Sequence, residues 1–316
     1  MKTPKISKRT GGFTLIELMV AMAITAVIVT VLVSITGIAL DAWQRGRAEI
    51  RAARQAKSML DTMAKDFESF VSRRGNKFEW LYAKVQDDLP GPSSNQSTNA
   101  ASLIFFTAAT DRYNGQIGGK DDLGGDVSCV AYSLEYQDPI AGEEKKGTSS
   151  DSNTFVFYRK LVDPKLTFEK LLGQENLETS FSQYKNGIKD PENFICENIY
   201  QFTLTFHVDV TQTSSGGTST TVPVRVTLGE KGAGKELHMK GTGIDAEKIS
   251  TGKLKPQVSD EELKAGRLTG VEIGITVLSD AAVIRLGSAK LDEKVRKKIL
   301  NQESFQYSRM VEMPGM

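Results

Sequence analysis

Cysteine and histidine are scarce in this chain of 316 residues. Only Cys129, Cys196, His207 and His238 are present, and their positions match no metal-binding motif. The sequence therefore predicts no zinc centre. A serine nucleophile elbow and a recognisable Cys/His catalytic motif are also absent, so no catalytic residue and no enzymatic activity are predicted. For the two cysteines the sequence leaves two alternatives, a disulfide between them or two buried free thiols.

An excess of basic charge is also missing. The chain has 40 basic and 39 acidic residues. Four of the basic residues, Lys2, Lys5, Lys8 and Arg9, lie within residues 1–12, where no acidic residue occurs. The remainder of the chain is therefore slightly acidic, and it lacks the basic surplus that phosphate contacts to nucleic acid require. We predict no nucleic-acid partner.

Charge is absent from Leu18 to Leu40, and proline is absent from Phe13 to Arg74. As a helix, the uncharged run spans about 34 Å at about 1.5 Å per residue, which is enough to cross a bilayer. A cleaved secretory signal peptide and a plain signal anchor are the simpler alternatives. The run is longer than an ordinary signal core. Neither alternative gives a role to Glu17, an acid just inside the apolar run, where a carboxylate is costly.

The junction before this run carries a recognisable pattern. A basic leader ends at Gly12, and the chain continues Phe13, Thr14, Leu15, Ile16, Glu17. This stretch resembles the prepilin-type signal of type IV pilins and type II secretion pseudopilins. The resemblance implies that a prepilin peptidase cuts between Gly12 and Phe13 and N-methylates Phe13. It also implies that Glu17 faces the N-terminal amine of a neighbouring subunit in a filament.

The resemblance also implies a location and a set of partners. The cationic leader places the N-terminus in the cytoplasm, so the helix anchors in the bacterial inner membrane and the bulk of the chain is periplasmic. The partners are then prepilin peptidase, membrane lipids and other pilins or pseudopilins. We divide the chain into a leader (1–12), a transmembrane helix segment (13–40), an amphipathic continuation of that helix (41–76) and a β-rich domain (77–316).

The sequence predicts one helix from Phe13 to about Arg74. Its second half shows an apolar stripe at spacings of three and four, beginning at Trp43 and ending at Phe70. The intervening charges, Asp66 among them, are expected to form a solvated face.

After residue 100 the apolar period changes to two, as in antiparallel strands with one wet face. Strands are predicted at 101–108, 130–136, 154–161, 200–210, 222–228, 271–277 and 304–312, and a short helix at 291–300. The fold class is therefore α+β, a long N-terminal helix packed on an antiparallel sheet. The layout is similar to J-class minor pseudopilins and W-class minor pilins.

Two further patterns point to ligands only weakly. Gly229 to Lys235 fits seven positions of a phosphate-binding P-loop, but Glu236 occupies the Ser/Thr position, so we interpret it as a glycine-rich hairpin loop. The acids Asp111, Asp121, Asp122 and Asp126 lie in one glycine-rich stretch. They suit either a solvated loop or Ca²⁺, without EF-hand spacing, and no other cofactor is predicted.

Two functional hypotheses remain. The first is a minor pilin or pseudopilin, a processed structural subunit of a filament. The second is a membrane-anchored periplasmic domain with a binding or enzymatic role.

Overall fold

The computed structural model of the chain describes residues 12, 14–92, 95–108, 126–144, 152–213, 217–229, 234–245, 249–287 and 291–313. Contacts divide the chain into two units, residues 1–50 and residues 51–316. The first helix, α1, runs from Leu15 to Glu68 and continues from the first unit into the second.

Helix α1 ends six residues before the predicted position at Arg74, which is a correction. The cause is a pair of backbone hydrogen bonds with the strand that ends at Thr107. Val71 N–H donates to the carbonyl of Phe106 at 2.9 Å, and Ala108 N–H donates to the carbonyl of Ser69 at 2.8 Å. The chain leaves the helix because its backbone pairs there with a strand edge instead.

One sheet of the second unit has seven strands, in the order β5-β4-β3-β2-β1-β8-β9 among the described residues. Every neighbouring pair is antiparallel. Its strands are β1 (Glu79–Val85), β2 (Ala101–Thr107), β3 (Ser128–Gln137), β4 (Thr154–Val162), β5 (Phe194–Glu197), β8 (Glu236–Lys240) and β9 (Gly243–Asp245).

A second antiparallel sheet has the order β11-β10-β6-β7 in the described part of the chain. Its strands are β6 (Ile199–Thr213), β7 (Ser219–Thr227), β10 (Arg267–Leu278) and β11 (Ser304–Glu312). Along β6, alternate side chains from Tyr200 to Val210 are buried, as the period of two predicts. The α+β class is therefore confirmed, but two sheets are present where the sequence suggested one.

Five shorter α-helices complete the second unit within the described residues. They are α2 (Pro164–Leu166), α3 (Leu177–Lys185), α4 (Asp260–Lys264), α5 (Asp280–Gly287) and α6 (Glu293–Glu303). Asn176 caps α3 through Thr179 N–H, and Ser259 with Glu262 forms a capping box on α4. The predicted helix at 291–300 corresponds to α6.

The core of the second unit forms where α1 meets the sheets. The buried side chains of α1 begin at Ala52, whereas Trp43 and Ile50 of the predicted stripe are 61% and 58% exposed. An aromatic series leads away from α1 across both sheets, with ring centroids 4.5 to 6.4 Å apart: Phe67, Phe105, Tyr132, Phe157 and Phe202. These rings bury large apolar areas and adopt preferred pair geometries.

Asp66 is a second correction, because it is buried rather than part of the solvated face. Its side chain is 1% exposed and pairs with Arg159 of β4, which is 3% exposed. Arg159 donates from Nε and Nη2 to the two carboxylate oxygens at 2.7 Å each, and Tyr132 donates its hydroxyl to the same carboxylate. Burial lowers the pKa of Arg159, but the hydrogen bonds and charge of Asp66 outweigh burial and raise it. A bidentate ion pair thus joins α1 to the sheet.

Candidate functional site: the N-terminal signal

Gly12 lies outside the helix and is exposed. No atom lies within 4 Å of the position that a Cβ would occupy, and its φ is not in the left-handed region. Phe13 lies outside the described residues. The helix begins only at Leu15. The carbonyl group at the predicted cleavage site therefore belongs to Gly12, an exposed residue outside the helix.

Thr14 and Glu17 form a capping box at the start of α1. Glu17 N–H donates to Thr14 Oγ1 at 3.3 Å, and Thr14 N–H donates to Glu17 Oε2 at 2.8 Å. Thr14 Oγ1 also donates to Oε2 at 2.8 Å. The motif satisfies two backbone donors that a helix start leaves unpaired. The sequence contained this signal as T-x-x-E, but Thr14 was not recognised as a cap.

Glu17 uses only one of its two oxygens in this cap. Among the described residues, Oε1 makes no hydrogen bond and no ion pair. The carboxylate therefore stabilises its own helix start and still presents an oxygen to a further donor.

The apolar segment that follows is exposed along its whole length. Every residue from Leu15 to Leu40 is exposed, and the most apolar window of α1 has a mean hydropathy of 2.7 with none of it buried. The hydroxyls inside the segment donate to carbonyls four residues earlier, at 2.8 to 3.0 Å: Thr25, Thr30, Ser34 and Thr36. A helix that satisfies its own polar groups is compatible with lipid.

Comparison with known proteins supports this interpretation of the N-terminus. Residues 7–33 match the family profile described as the prokaryotic N-terminal methylation motif. The chain carries a type IV pilin-like prepilin signal. This motif is the substrate signal of prepilin peptidase, and it indicates a type IV pilin-like or pseudopilin-like precursor. Searches of the curated proteins and of the solved structures each found no match.

The two cysteines are free and buried. Cys129 is paired in register with Val162 and Cys196 with Phe157, both on β4. Five residues along a strand correspond to about 17 Å, well beyond the Cα separation that a disulfide spans. Burial raises the pKa of both thiols. Of the two alternatives, this fold has the buried free thiols.

The remaining ligand candidates gain little from the structure. Asp111, Asp121 and Asp122 lie outside the described residues, and Asp126 is exposed. Gly229 has a φ of +132° and donates its N–H to the carbonyl of Gly234 at 3.2 Å, closing the ends of the P-loop-like segment. No group of three or more His, Cys, Asp or Glu residues that could hold a metal ion occurs in the described part of the chain.

Proposed function

We propose that the chain is a minor pilin or pseudopilin, a processed structural subunit of a type IV pilus-like or type II secretion filament. Its role is structural, with no catalytic residue and no required cofactor. The layout that resembles J-class minor pseudopilins and W-class minor pilins supports the minor class. The alternative is a membrane-anchored binding or enzymatic domain.

The exposed apolar segment is the observation that carries this proposal. Side chains such as Leu15, Ile24 and Ile38 are 77%, 55% and 70% exposed. A continuous apolar surface of this length marks a partner surface or a membrane contact. Filament assembly provides both contacts in turn, because the processed helix first lies in lipid and then packs against other pilin helices.

The size of the second unit supports low copy number. A compact chain of its length, residues 51–316, has an expected radius of gyration of about 18 Å. Packed helices lie only about 8–10 Å apart. Neighbouring subunits that each carried so large a domain would crowd one another, whereas a tip or an occasional position leaves room.

The cationic leader supports an orientation. Lys2, Lys5, Lys8 and Arg9 favour retention of the N-terminus in the cytoplasm. The second unit is then periplasmic, on the opposite side of the inner membrane. After cleavage, Phe13 becomes the methylated N-terminus, and the free Oε1 of Glu17 accepts the amine of a neighbouring subunit.

Substitution of Gly12 tests the processing step cleanly. Gly12→Ala should fold normally, since the structure has space for the added methyl group. In cells with an active prepilin peptidase, we expect mass spectrometry to show an intact Met1 terminus and no N-methylated Phe13, together with loss of filament incorporation. Gly37→Ala is the matched control, because Gly37 also has nothing within 4 Å of its Cβ position. It should be processed like wild type.

Two results would contradict the proposal. One is an intact Met1 terminus on the wild-type chain in such cells. The other is an unprocessed Gly12→Ala chain that retains its cellular function, which would favour the membrane-anchored alternative.

A further inference from the structure

A cleft of about 280 Å³ opens between the β8–β9 hairpin and the turn that joins α4 to β10. Its floor is apolar, formed by Met239, Ile244 and Leu268, which are 2%, 1% and 4% exposed. Two of the described lining residues are charged, Arg74 and Lys264, and both are cations. None of the described lining residues is Asp or Glu. The described walls of the cleft are therefore positive.

Close backbone packing holds these walls in place. Gly75 N–H donates to the carbonyl of Gly241 at 3.0 Å, which ties the segment after α1 to the hairpin. A Cβ on Gly241 would lie 2.3 Å from Asn76 Oδ1, and a Cβ on Gly243 would lie 2.1 Å from the carbonyl oxygen of Lys264. The glycines let three chain segments meet, so the backbones that carry the two cations are fixed before any ligand arrives.

The two cationic side chains are exposed and unpaired within the described part of the chain. The side chains of Arg74 and Lys264 make no hydrogen bond and no ion pair there, although they line one cleft. The carboxylate on the same hairpin, Asp245, faces Lys240 at 3.9 Å instead. Arg73 and Arg267 are further cations that are adjacent in sequence to lining residues. Because both cations line one cleft, an anion bound between Arg74 and Lys264 would be attracted by both charges.

We propose that the cleft binds a phosphate group, either as inorganic phosphate or as a phosphate monoester, between Arg74 and Lys264. The guanidinium fork matches two oxygens of one phosphate, and the ammonium group supplies a second positive charge. A monoester is close to dianionic at neutral pH, because its second pKa is about 6. Two unpaired cations therefore match it in charge, whereas a phosphodiester or a carboxylate carries only one negative charge.

The first experiment compares ligands on the full chain in a nonionic detergent at pH 7.5 and low salt. Isothermal titration should give one site for inorganic phosphate or for glycerol phosphate. Comparison of these two ligands tells whether the free ion or the ester is preferred. Short-chain phosphatidylglycerol and acetate should bind at least roughly tenfold more weakly than the phosphate ligands. A tenfold loss is that expected for one charge-assisted contact. Equal or tighter binding of either monoanion would overturn the proposal.

The second experiment uses charge-matched variants. Arg74→Gln and Lys264→Gln should each weaken phosphate binding roughly tenfold. Ala265→Glu leaves both cations in place but adds a carboxylate to the lining, and it should abolish binding. Arg54→Gln and Lys57→Gln remove the same charge from exposed positions of α1 and should bind like wild type. Thermal unfolding of each variant controls for folding.

Three outcomes of these titrations would refute the site. They are no phosphate binding by the wild-type chain, unchanged binding by the Arg74→Gln/Lys264→Gln double variant, and equal weakening by the Arg54 and Lys57 controls. The last outcome would show a diffuse effect of net charge instead of a local site.

Discussion

The ion pair between Asp66 and Arg159 makes the sharpest stability prediction. Replacing Asp66 by Asn keeps the size of the side chain but removes the carboxylate that faces a guanidinium only 3% exposed. Removing one partner of a buried pair costs about 3–5 kcal/mol, since the other charge stays out of water. The hydroxyl of Tyr132 loses its charged acceptor as well. A loss of that size lowers the melting temperature of a domain this large by roughly 6–20 °C.

The same helix provides the matched control. Asp61 pairs with Arg309 of β11, but these side chains are 50% and 40% exposed. Asp61→Asn is the same chemical change and should cost at most about 1 kcal/mol. Asp66 lies near the C-terminus of α1, where a negative charge is unfavourable for the helix dipole. A large loss at Asp66 can therefore only reflect the buried network.

Urea and thermal unfolding of residues 43–316, followed by circular dichroism, measure both variants against the parent fragment. A third variant, Asp66→Leu/Arg159→Met, removes both charges and should recover much of the stability lost by Asp66→Asn. The reasoning fails if Asp66→Asn and Asp61→Asn differ by less than about 1 kcal/mol. It also fails if the double variant is less stable than Asp66→Asn.

Three further predictions concern the second unit. A chain lacking residues 1–42 should be soluble and folded, because the buried side chains of α1 begin at Ala52. A chain lacking residues 1–70 exposes the core and should aggregate. Equal behaviour of the two chains in gel filtration would contradict this prediction. Burial lowers the pKa of His238, but Glu79 at 2.5 Å and Glu236 outweigh burial and raise the pKa above 6.5. Protonated His238 and these carboxylates therefore stabilise the fold below about pH 6.5. This stability is lost as the pH rises through the folded-state pKa. His238→Gln should remove that fall in stability, and a pH profile of stability unchanged by this substitution would contradict the assignment. Burial lowers the pKa of His207, so its contribution to stability should change with pH in the opposite direction. Denaturation without reductant should release two alkylatable thiols per exported chain, at Cys129 and Cys196, and mass analysis that finds none would contradict the fold.

A sustained alternation of apolar and polar residues identifies two of the predicted strands. Along β6 the buried side chains repeat every second residue from Tyr200 to Val210, and along β10 from Val271 to Ile275, so the period identifies them. Strands β5, β8 and β9 have only four, five and three residues, too few for the period to stand out. Helix α3 was missed for a similar reason, because only Leu177 and Phe181 are buried along it.

Other features depend on contacts that no local pattern contains. The division of the strands into two sheets is set by pairing across the chain, as where β1 lies between β2 and β8. Asp66 occupies a position on the buried stripe between Met63 and Phe70, and that spacing was the available signal. Only the fold supplies the partner, Arg159, that makes burial of the carboxylate tolerable.

Glu17 illustrates how local structure and assembly can be separated by experiment. Its Oε2 accepts both bonds from Thr14, which leaves Oε1 without a hydrogen bond among the described residues. Glu17→Gln keeps one carbonyl oxygen for the cap but loses the negative charge. Thr14→Val keeps the charge but loses both hydroxyl contacts of the cap.

If the carboxylate acts by attracting the amine of another subunit, Glu17→Gln should be cleaved after Gly12 and inserted normally but crosslink poorly to partner pilins. Thr14→Val should then crosslink at near the wild-type level, at equal amounts of processed protein, since its charge is intact. The reverse pattern, normal Glu17→Gln and poor Thr14→Val, would mean that assembly needs only a well-capped helix start. Failure of Glu17→Gln to be cleaved would instead make the carboxylate part of what the peptidase recognises. A charge pair in a low-dielectric environment is screened little by salt. Raising the salt concentration should therefore leave the crosslinking of Glu17→Gln and of Thr14→Val unchanged.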